Sequence, residues 1–146
     1  MTESKAHLYQ PAGDVTVEGP DTAYFLQGQF SRDLRVRVGS SVYGLWLDAK
    51  AKIKADSFLL KESESRFRAI SYFSPSSFLQ ENLEKRIIMD EVATRSSDSP
   101  AAGISLWGEA IELGLEFLKI DWPELEGFST GPFGVAFWGR RSEEPN

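Results

Sequence analysis

The chain has 146 residues and no cysteine, which excludes disulfides, a thiolate nucleophile and Cys-based metal sites, and its one histidine, His7, sits in a terminal stretch, away from any Ser-His-Asp or zinc chemistry. Hydrophobic residues at 41% and charged residues at 26% fit one folded domain with a core. The net charge of −6 opposes nucleic acid as a partner, and no apolar run approaches the roughly 20 residues that cross a bilayer.

Residues 1–12 read as a flexible leader without the apolar core of a signal peptide, which points to a cytoplasmic protein. Val15 and Val17 alternate with polar residues and predict a strand over 14–18. Gly19-Pro20 then opens a helix, with Pro20 at its first position, Asp21 in its first turn and Gly28 as its stop. Ser41–Leu47 and Ile53–Lys61 read as an antiparallel hairpin joined by 48–52, and Arg66–Phe73 as a third strand.

A second helix has Ser74 as its cap, Pro75 at its first position and Phe73 and Phe78 as a hydrophobic staple. Leu79, Leu83 and Ile87 recur at spacing four and predict its buried face, and Glu81–Lys85 is an i,i+4 pair. A weaker strand follows over 91–95, then a loop over 96–100 and a strand over 103–107. Residues 108–118 predict a third helix with Ile111, Leu115 and Leu118 on one side, against which Gly114 counts. Residues 119–132 read mostly as loop, 134–138 as a last strand and 140–146 as a polar tail. The order of elements predicts an α+β fold, a largely antiparallel sheet with two to three covering helices.

Charge is uneven along the chain. Arg32, Arg35, Arg37, Lys50, Lys52 and Lys54 face only Asp33 and Asp48 in the same segment, whereas Glu109, Glu112, Glu116, Asp121, Glu124 and Glu126 crowd the C-terminal part. The basic segment could hold a small anion, against the plainer reading of solvated loop and strand faces. The Gln27-Gly28-Gln29 block sits at a helix end, where glutamine amides that donate and accept suit a heteroaromatic amide such as a pterin, or form an ordinary C-cap with exposed side chains.

Two blocks together carry a resemblance. The run Gly19-Pro20-Asp21-Thr22-Ala23-Tyr24-Phe25-Leu26-Gln27-Gly28-Gln29, closed by Asp33, is followed by Asp48-Ala49-Lys50-Ala51-Lys52 and by Asp56. In this order and spacing they resemble the N-terminal domain of the folate-binding superfamily that holds the glycine-cleavage aminomethyltransferases and the YgfZ-type proteins of iron–sulfur cluster maintenance. The resemblance covers about 13–107 and implies a folate-binding-like domain there, with 108–146 as an extension packed on it or leading to a second half. It implies tetrahydrofolate or a derivative as the cofactor, with Gln27, Gln29, Arg32, Asp48, Lys50 and Lys52 as binding residues and the lysines near the glutamate tail.

The family commonly has glycine between the two lysines. Ala51 stands there instead and is strained if that position needs a positive φ. Asp56 stands where the aminomethyltransferases have an acidic pair that includes the catalytic carboxylate, with Ala55 as its neighbour. The later cysteine-containing YgfZ signature is absent from this sequence. Family members are considerably longer, so the resemblance implies a non-catalytic folate-binding module whose site a homodimer or a second chain completes, with no membrane partner and no metal. Its alternatives are a tetrahydrofolate-dependent one-carbon transferase with Asp56 as the catalytic group, and an interaction domain that keeps the fold without the ligand.

Overall fold

The computed structural model describes residues 3–96 and 102–140. In chain order the elements are β1 (Lys5–Tyr9), β2 (Gly13–Glu18), α1 (Thr22–Gln27), β3 (Ser41–Leu47), β4 (Ile53–Ser63) and β5 (Arg66–Ser71). They continue with α2 (Ser76–Glu84), β6 (Ala93–Ser96), β7 (Gly103–Trp107), α3 (Glu109–Leu118), β8 (Phe128–Gly131) and β9 (Gly134–Phe137). Every strand pairing is antiparallel, and the class is α+β as the sequence predicts. Among the described residues, 11–96 form one compact unit and 3–10 with 102–140 form another.

The first unit is a five-stranded sheet in the order β3-β4-β5-β2-β6. Period-two alternation decides its faces. Val15 and Val17 on β2, Val42 and Trp46 on β3, Ala55 and Leu59 on β4, and Phe67 and Ala69 on β5 all turn to one side. There they meet Phe25 and Leu26 of α1, Leu79 and Leu83 of α2, and Phe30 and Leu34 of the segment after α1. Leu79 and Leu83 are the helical stripe the spacing predicts, and Ile87 packs against the cluster half-buried. Lys61 also falls on this side. It is only 4% exposed, and its Nζ donates to the Val36 carbonyl at 2.9 Å and pairs with Glu64 at 3.0 Å. Burial is thus tolerated because the ammonium is both hydrogen-bonded and paired.

The helix starts differ from the sequence reading. α1 begins at Thr22, so Pro20 lies outside it and Asp21 is the N-cap. The Asp21 carboxylate accepts instead from the Glu91 N–H at 2.7 Å, tying the start of α1 to the segment before β6. α2 begins at Ser76 with Pro75 as its N-cap, and the Ser76 hydroxyl accepts from the Asp14 N–H at 2.9 Å. Phe73 and Phe78 are exposed rather than stapled, because the shifted start puts Leu79 at the buried position. β4 runs on to Ser63, β5 stops at Ser71, and the weak strand is Ala93–Ser96.

In the second unit β1 pairs with β7, so a strand occupies part of what reads as a leader. Polar residues alternate poorly there, and β1 becomes legible only through its partner. Gly103 receives the Tyr9 ring, where a Cβ would lie 2.4 Å from a ring carbon. Gly114 receives Leu106, whose Cδ1 would lie 2.4 Å from a Cβ, so the residue that argues locally against α3 lets that side chain pack closely on the helix. Glu109 and Glu112 in the first turn favour the positive end of the α3 dipole. β8 and β9 form a hairpin within the segment read mostly as loop. Residues 97–101 and 141–146, which include most of the predicted loop and tail, lie outside the described residues. Among the described residues no helix is long and apolar enough to cross a membrane.

Truncating Leu83 to alanine is expected to lower the unfolding free energy by about 2–5 kcal/mol. Urea denaturation checks this as a lower midpoint at unchanged slope.

Candidate functional site

Asp56 lies on β4 between Ala55 and Ser57, both of which turn to the core. Alternation therefore sends its carboxylate to the opposite face of the sheet. Tyr43 reaches it from β3, two places along the ladder, and its hydroxyl donates to Asp56 Oδ2. Asp56 Oδ1 has no hydrogen bond among the described residues. The Asp56 backbone is pinned as well: its carbonyl accepts from the Ser71 hydroxyl at 2.7 Å, and that hydroxyl accepts from the Ser74 N–H at 3.0 Å.

An aromatic run borders this carboxylate. The Tyr43 and Phe58 ring centroids are 5.2 Å apart, and Phe58 and Tyr72 meet edge to face at 5.7 Å. On the same face Arg68 holds Asp14 through two hydrogen bonds of 2.8 and 2.7 Å, which raise the guanidinium pKa above its ordinary value. The combination is a half-buried carboxylate with one oxygen to spare, beside tilted and edge-to-face rings of which Phe58 is buried. Its spare oxygen can accept an N–H from a ligand.

The other sequence candidates do not share that face. Gln27 is exposed, and its Oε1 accepts from the Leu34 N–H at 2.8 Å, so it organises the chain after α1. Gln29 is buried and donates from Nε2 to the Phe25 carbonyl at 3.4 Å on the core side of the sheet. Arg32 is exposed and donates to the Tyr43 carbonyl at 3.3 Å. Asp33, which closes the first block, is taken up by Arg35, and their hydrogen bonds lower its carboxyl pKa to about 2.

Asp48 organises the β3–β4 connection. Its Oδ1 accepts from the Lys50 N–H at 2.8 Å and the Lys52 N–H at 3.0 Å, and Lys54 lies 3.6 Å from Oδ2. These backbone donors, the Lys52 N–H foremost, hold its pKa below the ordinary carboxylate value. Between them Ala51 adopts φ 60°, the left-handed region that glycine would occupy without strain. The Lys50 and Lys52 side chains are exposed, and Lys52 lies about 13 Å from Asp56 along the strand. Sequence reasoning missed Tyr43, Phe58 and Tyr72. Alternation alone puts Phe58 on the face of Asp56, but Tyr43 needs the register Tyr43↔Phe58 and Leu45↔Asp56, which no residue of the hairpin announces.

On the core side, a shallow groove is lined by Gln29, Trp46, Lys54, Ala55, Phe78 and Arg86, among others. Only about 20 Å³ of it is room for water.

No family model matches the sequence, and no curated protein matches it. Solved structures do. The chain aligns over 93% of its length with the glycine cleavage system aminomethyltransferase T from Bartonella henselae, at a TM-score of 0.72 and 20% identity. The fold is aminomethyltransferase-like. The chain spans 36% of that aminomethyltransferase chain, about a third of its length.

Two outcomes are expected at the connection. Replacing Ala51 by glycine should relieve about 1–2 kcal/mol of left-handed strain against about 0.4–1 kcal/mol of added unfolded-state entropy, raising stability by about 0.5–1 kcal/mol in urea denaturation. A depressed carboxyl pKa means that the Asp48 hydrogen bonds contribute fully above the ordinary value and are lost as pH falls through the lowered one. The Lys50 and Lys52 amide signals should therefore titrate in NMR with a midpoint below 3.8.

Proposed function

We propose that this chain is a folate-binding-like module that holds tetrahydrofolate or a derivative against the Asp56 face of its five-stranded sheet. The observation that carries this reading is the pair Tyr43–Asp56 beside the rings of Phe58 and Tyr72. A pterin presents a flat ring with an edge of N–H donors, and the free oxygen of Asp56 is the matching acceptor. The Tyr43 hydroxyl fixes the carboxylate in place, so little freedom is lost when a ligand arrives. The likeness of fold to an aminomethyltransferase supports the same ligand class.

The residues present fit a folate in two further respects. Charge and ring recognition are separated, with the exposed Lys50 and Lys52 set apart from Asp56 along β4, as suits a ligand whose carboxylate tail is remote from its ring. The groove on the core side is too small for a pterin, which favours the Asp56 face. A bound tetrahydrofolate would supply the nitrogen atoms that carry a one-carbon unit. The chain's own part is to orient the ring and to present one carboxylate to it.

Isothermal calorimetry with tetrahydrofolate tests the reading. Saturable binding is expected, and Asp56→Asn should weaken it about ten- to a hundredfold, the loss of one charge-assisted hydrogen bond. Lys50→Ala with Lys52→Ala should weaken a polyglutamyl folate more than a monoglutamyl one, by less as salt rises. Absence of saturable binding at millimolar folate by folded protein, or an Asp56→Asn variant that binds as tightly, would overturn the reading.

A further inference from the structure

The helix α3 carries apolar side chains on two sides. Leu115 is buried on one of them, with Ile111 and Leu118 half-buried beside it. On the other, Leu113 is 67% and Phe117 82% exposed. They stand four apart, so they continue one ridge from Glu109. Glu112 and Glu116, also four apart, form the neighbouring ridge. All three glutamates are exposed, and none makes an ion pair among the described residues. Lys119, just past the helix, makes none either. A single exposed leucine is ordinary on a protein surface. An exposed leucine–phenylalanine pair at helical spacing, bordered by acids without counter-ions, is a surface that a partner covers.

The complement of this ridge is present on the first unit of the same chain. Ile53 opens β4 and is 63% exposed. Lys50 and Lys52 precede it, both exposed and without an ion pair among the described residues, whereas Lys54 is 3.6 Å from Asp48. Asp48 holds the turn through the Lys50 and Lys52 N–H groups, so their ammonium groups stand free on a fixed backbone. We propose that the α3 ridge of one copy docks on the β3–β4 tip of a second copy. Leu113 and Phe117 meet Ile53, and Glu109, Glu112 and Glu116 meet Lys50 and Lys52.

Charge selects this occupant over the others. Two α3 ridges packed on each other would set three glutamates of one copy against three of the next, and like charges at a contact are costly. An anionic lipid surface would be repelled for the same reason, because helices that lie on such membranes are basic on their polar face. Ridge on tip joins two different surfaces. Each copy then keeps one free ridge and one free tip, and the contact propagates from copy to copy. The surfaces are small, so association is weak and grows with protein concentration. The contact is independent of folate binding and is tested without ligand.

The test is sedimentation equilibrium of the ligand-free chain from about 10 μM to about 1 mM. The mass is expected to rise with concentration above the 16.3 kDa of one chain, and to rise less as salt is added. Leu113→Ser with Phe117→Ser removes the ridge, and Lys50→Glu with Lys52→Glu reverses the tip. Each double variant should associate about tenfold more weakly, or less still. Mixed together they should associate again, because one keeps the tip and the other the ridge, and the mixture should stop at two chains. Circular dichroism verifies that each variant is folded; should the serine variant unfold, Glu112→Lys with Glu116→Lys takes its place. A constant mass of 16.3 kDa up to about 1 mM, association that strengthens with salt or survives in both variants, or a mixture no heavier than its components would overturn the proposal.

Discussion

The alternation of β4 is the constraint on which the rest of this structure depends. Ala55, Ser57 and Leu59 go to the core, and Asp56, Phe58 and Leu60 to the other face, because successive residues of a strand cannot point the same way. The neighbour of Asp56 on the core side, Ala55, is buried among apolar groups. An ionised carboxylate at that place would be desolvated without a partner. Alanine is thus consistent with the core, and Asp56 is left as the acid of this strand next to the aromatic run.

The same strand also shows how local departures from regularity place charge. One bulge makes Lys54 the unpaired residue near the β3–β4 connection, and a second shifts the register between Lys61 and Ser63. The connection itself is held by a single carboxylate, Asp48, which satisfies two backbone N–H groups around a left-handed Ala51. The strain at Ala51 and the hydrogen bonds of Asp48 work against each other, and the latter prevail. The basic character of this segment is therefore spread over both faces and the tip of one hairpin, and it is not a single cationic patch.

Much of the fold was legible because hydrophobic period and burial coincide. Val15 and Val17, the hairpin 41–47 with 53–61, and Leu79 with Leu83 all sit where their spacing places them. β1 was not legible, since its register partner lies more than ninety residues away and its own residues are exposed. Helix starts moved by one or two residues: Asp21, the N-cap of α1, accepts from the Glu91 N–H, and Pro75 rather than Ser74 is the N-cap of α2. Of the candidate site, Asp56 could be named from its block, but Tyr43 could not, because cross-strand register has no local signature. Gln27 and Asp48 were legible as polar residues in special places. Their hydrogen bonds show local structural work, in the chain after α1 and in the hairpin connection.

The central claim, made as a proposal, is that a folate-type ring lies beside Asp56 at the edge of the Tyr43, Phe58 and Tyr72 run. Aromatic 1H–13C NMR of the chain during addition of tetrahydrofolate tests it most directly, because a neighbouring heteroaromatic ring shifts the protons of the rings it touches. The account predicts saturable shifts of the Tyr43, Phe58 and Tyr72 ring signals while those of Trp46, on the other face of the sheet, stay in place. Shifts confined to Trp46, or none in the three rings at saturating ligand, would contradict it.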